Sequence, residues 1–186
     1  MIFGSTETFA IEAMTEDGLA LPSTVWGRMR VWCQGISIGD FSNKNCGLPY
    51  SHFLDLEETL SSLWLPKFEG MSALNLWNHL DGLIYGYHGD VELDDARTSE
   101  EIRSDYLRYA KFNFLTNWGE MFDRGGKSFI FCTPTGEVRV LNRVAAPGRW
   151  LQAQPPEALH AITGFLGWYE GECNRLGTPV VRTPAQ

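Results

Sequence analysis

The sequence predicts an α+β fold, a single domain in which helices pack on a mainly antiparallel sheet. The chain has 186 residues, a length at which one domain can bury roughly 70% of its unfolded surface. Hydrophobic residues make up 44% of it, including 7 Trp, 6 Tyr and 11 Phe, which is enough for a conventional core. Strand patterns and helical patterns come in runs instead of strict alternation, and such runs are typical of α+β domains.

The N-terminal part reads as a meander of strands. Residues 9–14 form a short apolar run, and residues 25–33 alternate between two faces, with Met29 and Val31 on one and Arg28 and Arg30 on the other. A two-residue connection at Gln34-Gly35 leads into a further strand at residues 36–39, because glycine accepts the positive φ of a tight hairpin turn.

Two helices are predicted next. The first starts after Ser51, a suitable N-cap, and stops at Pro66. The second starts after Ser72 and ends near residue 83, because glycines follow it closely. Its apolar stripe is predicted to be Leu74, Trp77, Leu80 and Ile84.

The second half returns to strands and closes with a helix. Strands are predicted at residues 111–116, 127–133, 137–144 and 148–153, and the first of them has its core at residues 112–116. Thr135-Gly136 forms the tight turn of the middle hairpin. Pro155-Pro156 opens the last helix and Gly177 follows its end. The predicted domain spans residues 1–178, and residues 179–186 are predicted to be a flexible tail.

Composition narrows the choice of partners. The formal net charge is −8, which argues against nucleic-acid binding, since that rests on clustered Lys and Arg. No segment approaches the roughly 18 apolar residues of a membrane span, and no signal peptide is visible. The four cysteines form no C-x-x-C pair and indicate a reducing compartment, with a disulfide left as an alternative. We therefore expect a cytoplasmic protein with no nucleic-acid or membrane partner.

The negative charge is concentrated in one segment. Residues 90–105 hold seven Asp and Glu residues and two Arg residues, a local charge of −5. One interpretation is a solvated loop and helix start near Thr98 or Ser99, where acids favour the helix dipole. The other is a docking surface for a basic partner. The residues predicted to make that contact are Asp90, Glu92, Asp94, Asp95, Glu100 and Glu101.

Metal chemistry finds little support in the residue spacing. Asp90, Glu92, Asp94 and Glu101 match positions 1, 3, 5 and 12 of a calcium loop, but Asp95 occupies the sixth position, where such a loop needs glycine. The four histidines are scattered, and no Cys–His grouping has the two ligand pairs of a zinc site. We predict no metal and no other cofactor.

Catalytic motifs are also missing from the sequence. It contains no G-x-S-x-G, no phosphate-binding glycine loop and no H-E-x-x-H. Glu120 and Asp123 beside Trp118 leave one alternative open, a hydrolase or carbohydrate-acting enzyme that uses paired carboxylates. The competing interpretation is a structural corner with Trp118 packed inside. We predict that the protein is not an enzyme and assign no catalytic residue.

A family resemblance runs through most of the chain. Its central part is the run from Lys111 to Asp123, followed by Lys127-Ser128-Phe129-Ile130. The remaining segments are Met1-Ile2-Phe3-Gly4, Trp26-Gly27-Arg28, Ile38-Gly39-Asp40 and Leu76-Trp77-Asn78-His79-Leu80-Asp81. Together they resemble immunity protein 42, a family of immunity proteins against bacterial polymorphic toxins.

The resemblance implies a stoichiometric inhibitor that binds the C-terminal domain of a cognate toxin and blocks it. Contact-dependent growth inhibition is the expected setting, with the chain a monomer or a 1:1 complex with the toxin. The toxin is expected to be basic and a nuclease, because nucleic-acid-cleaving domains tend to be cationic. A regulatory binding module with a non-toxin partner remains the alternative from another class.

Overall fold

The computed structural model describes residues 1–123 and 126–180. The predicted tail, residues 179–186, lies outside the described residues from position 181 onward. Before that point, Val180 is half-buried and packs against the core. All four cysteines are free thiols, so the alternative of a disulfide is wrong.

The first half forms one antiparallel sheet. Its strands are β1 (Ile2–Gly4), β2 (Phe9–Thr15), β3 (Trp26–Cys33), β4 (Ile36–Ile38) and β5 (Asn45–Cys46). The spatial order is β1-β2-β3-β4, and β5 also pairs with β3. Alternation in β3 buries Met29 and Val31 and leaves Arg28 and Arg30 partly exposed, as the sequence predicts.

The second half contributes a hairpin and a second antiparallel sheet. The hairpin consists of β6 (Tyr87–His88) and β7 (Val91–Glu92), and the sheet of β8 (Ser128–Cys132), β9 (Val138–Asn142) and β10 (Leu151–Ala153). The sheet order is β10-β9-β8, with a turn at Gly136 between β8 and β9. Each strand is shorter than predicted, and β10 starts only at Leu151. The fold is α+β and its sheets are antiparallel, as predicted.

Five α-helices accompany the sheets in the described residues. They are α1 (Tyr50–Thr59), α2 (Ala73–Tyr85), α3 (Ser99–Tyr109), α4 (Glu120–Asp123) and α5 (Pro155–Arg175). Ser72 caps α2 by accepting the backbone amide of Asn75 at 3.2 Å, and Gly86 ends the helix with a φ of 74°. α5 packs across β1 and β2 and against α1, which places the core between helix and sheet.

The predicted strand at residues 112–116 is wrong. A short 3₁₀ turn covers Ala110–Phe112, and β-pairing is limited to a single bridge between Asn113 and Phe129. Leu115 has a φ of 66°, which no strand residue adopts. Phe112 and Phe114 are both fully buried, so their alternation imitates a strand although the backbone turns.

The predicted stripe of α2 needs one correction. Leu74 is 46% exposed, whereas Leu76 and Asp81 point into the interior. A side chain as polar as Asp81 inside a helix stripe is uncommon and requires partners.

Those partners form what we call the Asp81–Lys127 joint. The Asp81 carboxylate is inaccessible to solvent and lies 2.5 Å from Lys127 Nζ. Its second oxygen accepts the backbone amide of Gly89, between β6 and β7, at 2.8 Å. Trp77 Nε1 donates to the carbonyl of Lys127 at 3.0 Å, and the Lys127 ammonium lies 4.8 Å from the ring centroid of Tyr87. The joint thus holds α2, the hairpin and the start of β8 together.

Removing Asp81 should destabilise the fold. Asp81→Ala leaves Lys127 without its ion-pair partner and the Gly89 amide without its acceptor, and we expect a loss of about 2 to 4 kcal/mol in the free energy of unfolding. Urea denaturation checks this, with Asp17→Ala as the control because Asp17 is exposed. Equal stability of the two variants would contradict the role given to the joint.

The half-buried His52 lies on α1. The His52 ring packs against the rings of Phe53, Phe114 and Trp118, with centroids 5.6, 6.0 and 5.7 Å away. Its Nε2 is shielded from solvent and has no hydrogen-bond partner among the described residues. Burial lowers the pKa of His52 to about 4 from its ordinary value of 6.5, because the charged imidazolium loses its hydration there.

This pKa makes stability dependent on pH. The unfolded chain takes up the proton near pH 6.5 and the folded chain only near pH 4, so stability at neutral pH is lost as the pH falls through that window. We expect His52→Phe to remove about 2 to 3 kcal/mol of this acid-dependent loss, measured by urea denaturation between pH 7 and pH 4. His160→Gln, at an exposed histidine, is the control. A wild-type pH dependence in His52→Phe would show that another group causes the loss.

Candidate functional site

The acidic segment is an ordered part of the surface beside the C-terminal end of α2. Asp90 lies in the turn of the β6–β7 hairpin, and the amide of Leu93 donates to the carbonyl of Gly86 at 2.9 Å. α3 then begins after Thr98, as the sequence predicts. Of the six predicted contact residues, Asp90 and Glu92 lie on the hairpin and Glu100 and Glu101 on the first turn of α3. Asp94 and Asp95 lie in the segment that connects the two.

Arg97 neutralises part of the predicted surface. Its guanidinium donates to Asp95 at 2.6 Å and to Asp105 at 2.6 Å, and also to the carbonyl of Gly82 at 3.0 Å. These hydrogen bonds from Arg97 lower the pKa of Asp95 to about 2. Asp95 thus belongs to a clamp that ties the start of α3 to the end of α2.

Glu101 has a structural task as well. Its carboxylate accepts the backbone amide of Thr98 at 2.7 Å, and its own amide donates to the Thr98 hydroxyl at 3.3 Å. This reciprocal pair is a capping box, which satisfies two amides at the helix start. The hydrogen bond from the Thr98 amide lowers the pKa of Glu101 below its ordinary value.

The remaining four predicted residues are Asp90, Glu92, Asp94 and Glu100, which we call the free acids. All four are exposed, and none of their side-chain carboxylates makes a hydrogen bond or ion pair with a residue in the described part of the chain. The structure therefore divides the predicted site: four carboxylates face solvent unpaired, while Asp95 and Glu101 hold the backbone beneath them.

An apolar feature beside these acids was missed by the sequence reasoning. Ile102 is 39% exposed, Tyr106 48% and Leu107 66%, and all three lie on α3. At 100° per residue they fall within a sector of about 140° of the helix circumference. The signal was present in the sequence, because a helix that starts at Thr98 and turns Tyr109 inward must present Leu107 to solvent.

The described residues give little support for metal binding or for a membrane-spanning helix. The calcium pattern is split between a β-hairpin and a capping box, and no group of three or more metal-ligating residues occurs within residues 1–123 and 126–180. None of the helices in the described chain is long and apolar enough to cross a membrane.

The carboxylates of the enzyme alternative lie at the corner around α4. Glu120 is exposed, and the side chain of Asp123 lies outside the described part of the structure. Trp118 packs against His52 and its carbonyl accepts Asn45 Nδ2 at 3.0 Å. One described cleft opens between β2 and α5 and another between β1 and α5, and neither is lined by Trp118 or Glu120. The packing of Trp118 favours the interpretation as a structural corner.

The fold is similar to that of a solved immunity structure. A crystal structure of CdiI from Burkholderia dolosa AUO158 matches with a TM-score of 0.56 and 11% sequence identity, over 90% of this chain and 99% of that one. At this identity the likeness speaks for the fold alone. A search of curated proteins found no match.

A family model matches the sequence itself. The model described as immunity protein 42 matches residues 1–144, which is more than three quarters of the chain. The matched range includes the Asp81–Lys127 joint, the hairpin and all of α3. The chain therefore belongs to the immunity protein 42 family.

Proposed function

We propose that this chain protects its cell by binding the C-terminal domain of a cognate toxin in a 1:1 complex and blocking it without catalysis. The observation that carries the proposal is the family match over residues 1–144. The similarity in fold to CdiI supports contact-dependent growth inhibition as the setting. In such a system the chain acts as a monomer until it meets the toxin.

Immunity to a lethal enzyme demands tight binding, because very little free toxin can be tolerated. A nanomolar dissociation constant corresponds to about −12 kcal/mol. An interface of that strength buries on the order of 1,600 Å² and depends on a few residues near its centre. The contact must therefore extend beyond the free acids alone.

The toxin is proposed to be basic and to approach the surface formed by the hairpin and α3. The carboxylates of the free acids are exposed and have no ion-pair partner among the described residues, so a net negative field reaches solvent. Clustered charge of one sign raises the association rate of an oppositely charged partner by orders of magnitude at low salt. A nuclease domain fits this description because its substrate is a polyanion.

The direct test is co-expression with the C-terminal domain encoded immediately upstream of this chain's gene. We expect the chain to restore growth and to co-purify with that domain at equal stoichiometry. An unrelated toxin domain serves as the control and should remain lethal. Growth arrest in the presence of abundant, folded chain would contradict the proposed function.

Charge reversal tests the proposed surface. The triple variant Asp90→Lys, Asp94→Lys, Glu100→Lys should lower the association rate by about tenfold or more at low salt and flatten its dependence on ionic strength. The matched control is Asp17→Lys, Glu58→Lys, Glu69→Lys, which changes the net charge equally at exposed positions elsewhere. If both triples slow association equally in stopped-flow measurements, then only the overall charge matters and the proposed surface is wrong.

A further inference from the structure

We propose that Ile102, Tyr106 and Leu107 form the apolar centre of the toxin contact and dock into an apolar groove on the basic toxin domain. This inference rests on the proposed function and deepens it, because it separates the residues that hold the toxin from those that attract it. In this arrangement the free acids raise the association rate. The three apolar side chains of α3 lower the dissociation rate and so set the lifetime of the complex.

The orientation of α3 on the protein determines which of its side chains face solvent. Tyr109 is only 3% exposed and faces the interior, while Asp105 is turned toward Arg97. With those two positions facing inward, Leu107 points away from the protein and is 66% exposed. Ile102 and Tyr106 are four residues apart and adjoin each other along the helix. Leu107 is turned about 100° from Tyr106, and the exposed Arg103 lies between the two, so the contact combines an apolar pair with one projecting leucine.

Several contacts hold α3 in place before any partner arrives. The capping box at Thr98 fixes its start, and Arg97 ties that start to the carbonyl of Gly82 on α2. Near the other end, the Tyr109 hydroxyl accepts a hydrogen bond from Lys67, whose Nζ also lies 3.1 Å from His79 Nε2 on α2. A surface held in its binding geometry loses little conformational entropy on association, which favours affinity.

The exposed residues are of the type that dominates interfaces. Single exposed apolar side chains are ordinary on any protein surface. Here three lie within about 140° of one helix, on either side of the exposed Arg103. Tyrosine is among the residues that contribute most to binding when its ring is desolvated. Glu100 lies seven residues, or about two helical turns, before Leu107, so its side chain projects from nearly the same side of α3. The negative charge and the exposed leucine therefore lie next to each other.

Charge identifies the occupant as a basic protein. Residues 90–105 carry a local charge of −5. A two-fold pairing of this surface with a second copy of the chain would bring identical negative charges together, because such an interface is self-complementary. Anionic lipid surfaces are repelled for the same reason. A cationic domain with an apolar groove complements both the negative charge of this surface and the apolar side chains of α3.

The experiment measures binding kinetics of the upstream toxin domain to immobilised chain. Tyr106→Ala and Leu107→Ala replace exposed helical residues by the best helix former, so the fold should be retained. We expect each to raise the dissociation rate by about tenfold or more while changing the association rate by less than about threefold. The control is Leu74→Ala, at a residue 46% exposed on α2.

The outcomes are distinguishable. If the wild-type chain binds and protects but the α3 variants dissociate at the rate of Leu74→Ala, the inference is overturned and the proposed function stands. If the wild-type chain neither binds nor protects, both fall. Analytical ultracentrifugation adds a third outcome: a wild-type dimer that Leu107→Ala converts to a monomer, with toxin binding unchanged, would assign this surface to self-association and overturn the inference.

Discussion

The buried contact between Asp81 and Lys127 is the constraint on which the rest of the structure depends. One carboxylate neutralises the ammonium on the segment entering β8 and accepts the Gly89 amide in the hairpin turn. The hairpin carries Asp90 and Glu92, and Arg97 anchors the following helix to the same end of α2. The position of the whole acidic surface therefore follows from a polar group that the interior tolerates only because it is paired.

The family signature and the proposed contact surface occupy different parts of the molecule. Trp77, Lys127 and Phe129 lie in signature segments, and they contact one another in the interior through a hydrogen bond at 3.0 Å and a ring pair at 6.0 Å. The free acids and the apolar side of α3 lie outside those segments and face solvent. The family match over residues 1–144 covers both parts, the interior contacts and the hairpin with α3.

Sequence patterns predicted what depends on local chemistry and failed where distant contacts decide. The alternation in β3, the cap at Ser72 and the end of α2 near Gly86 follow from rules that act within a few residues. The turn at residues 112–116 imitates a strand because its buried phenylalanines alternate, while the positive φ of Leu115 leaves no trace in composition. A count of charges likewise does not show that Asp95 and Glu101 are engaged, although Thr98 and Glu101 do have the spacing of a capping box.

Hydrogen exchange of the chain with and without the upstream toxin domain tests the central claim most directly, because it locates the contact without any mutation. We expect new protection concentrated in the hairpin and α3, across residues 87–109, at a 1:1 ratio of toxin to chain. Protection confined to the opposite elements, β1, β2 and α5, with residues 87–109 unchanged, would contradict it.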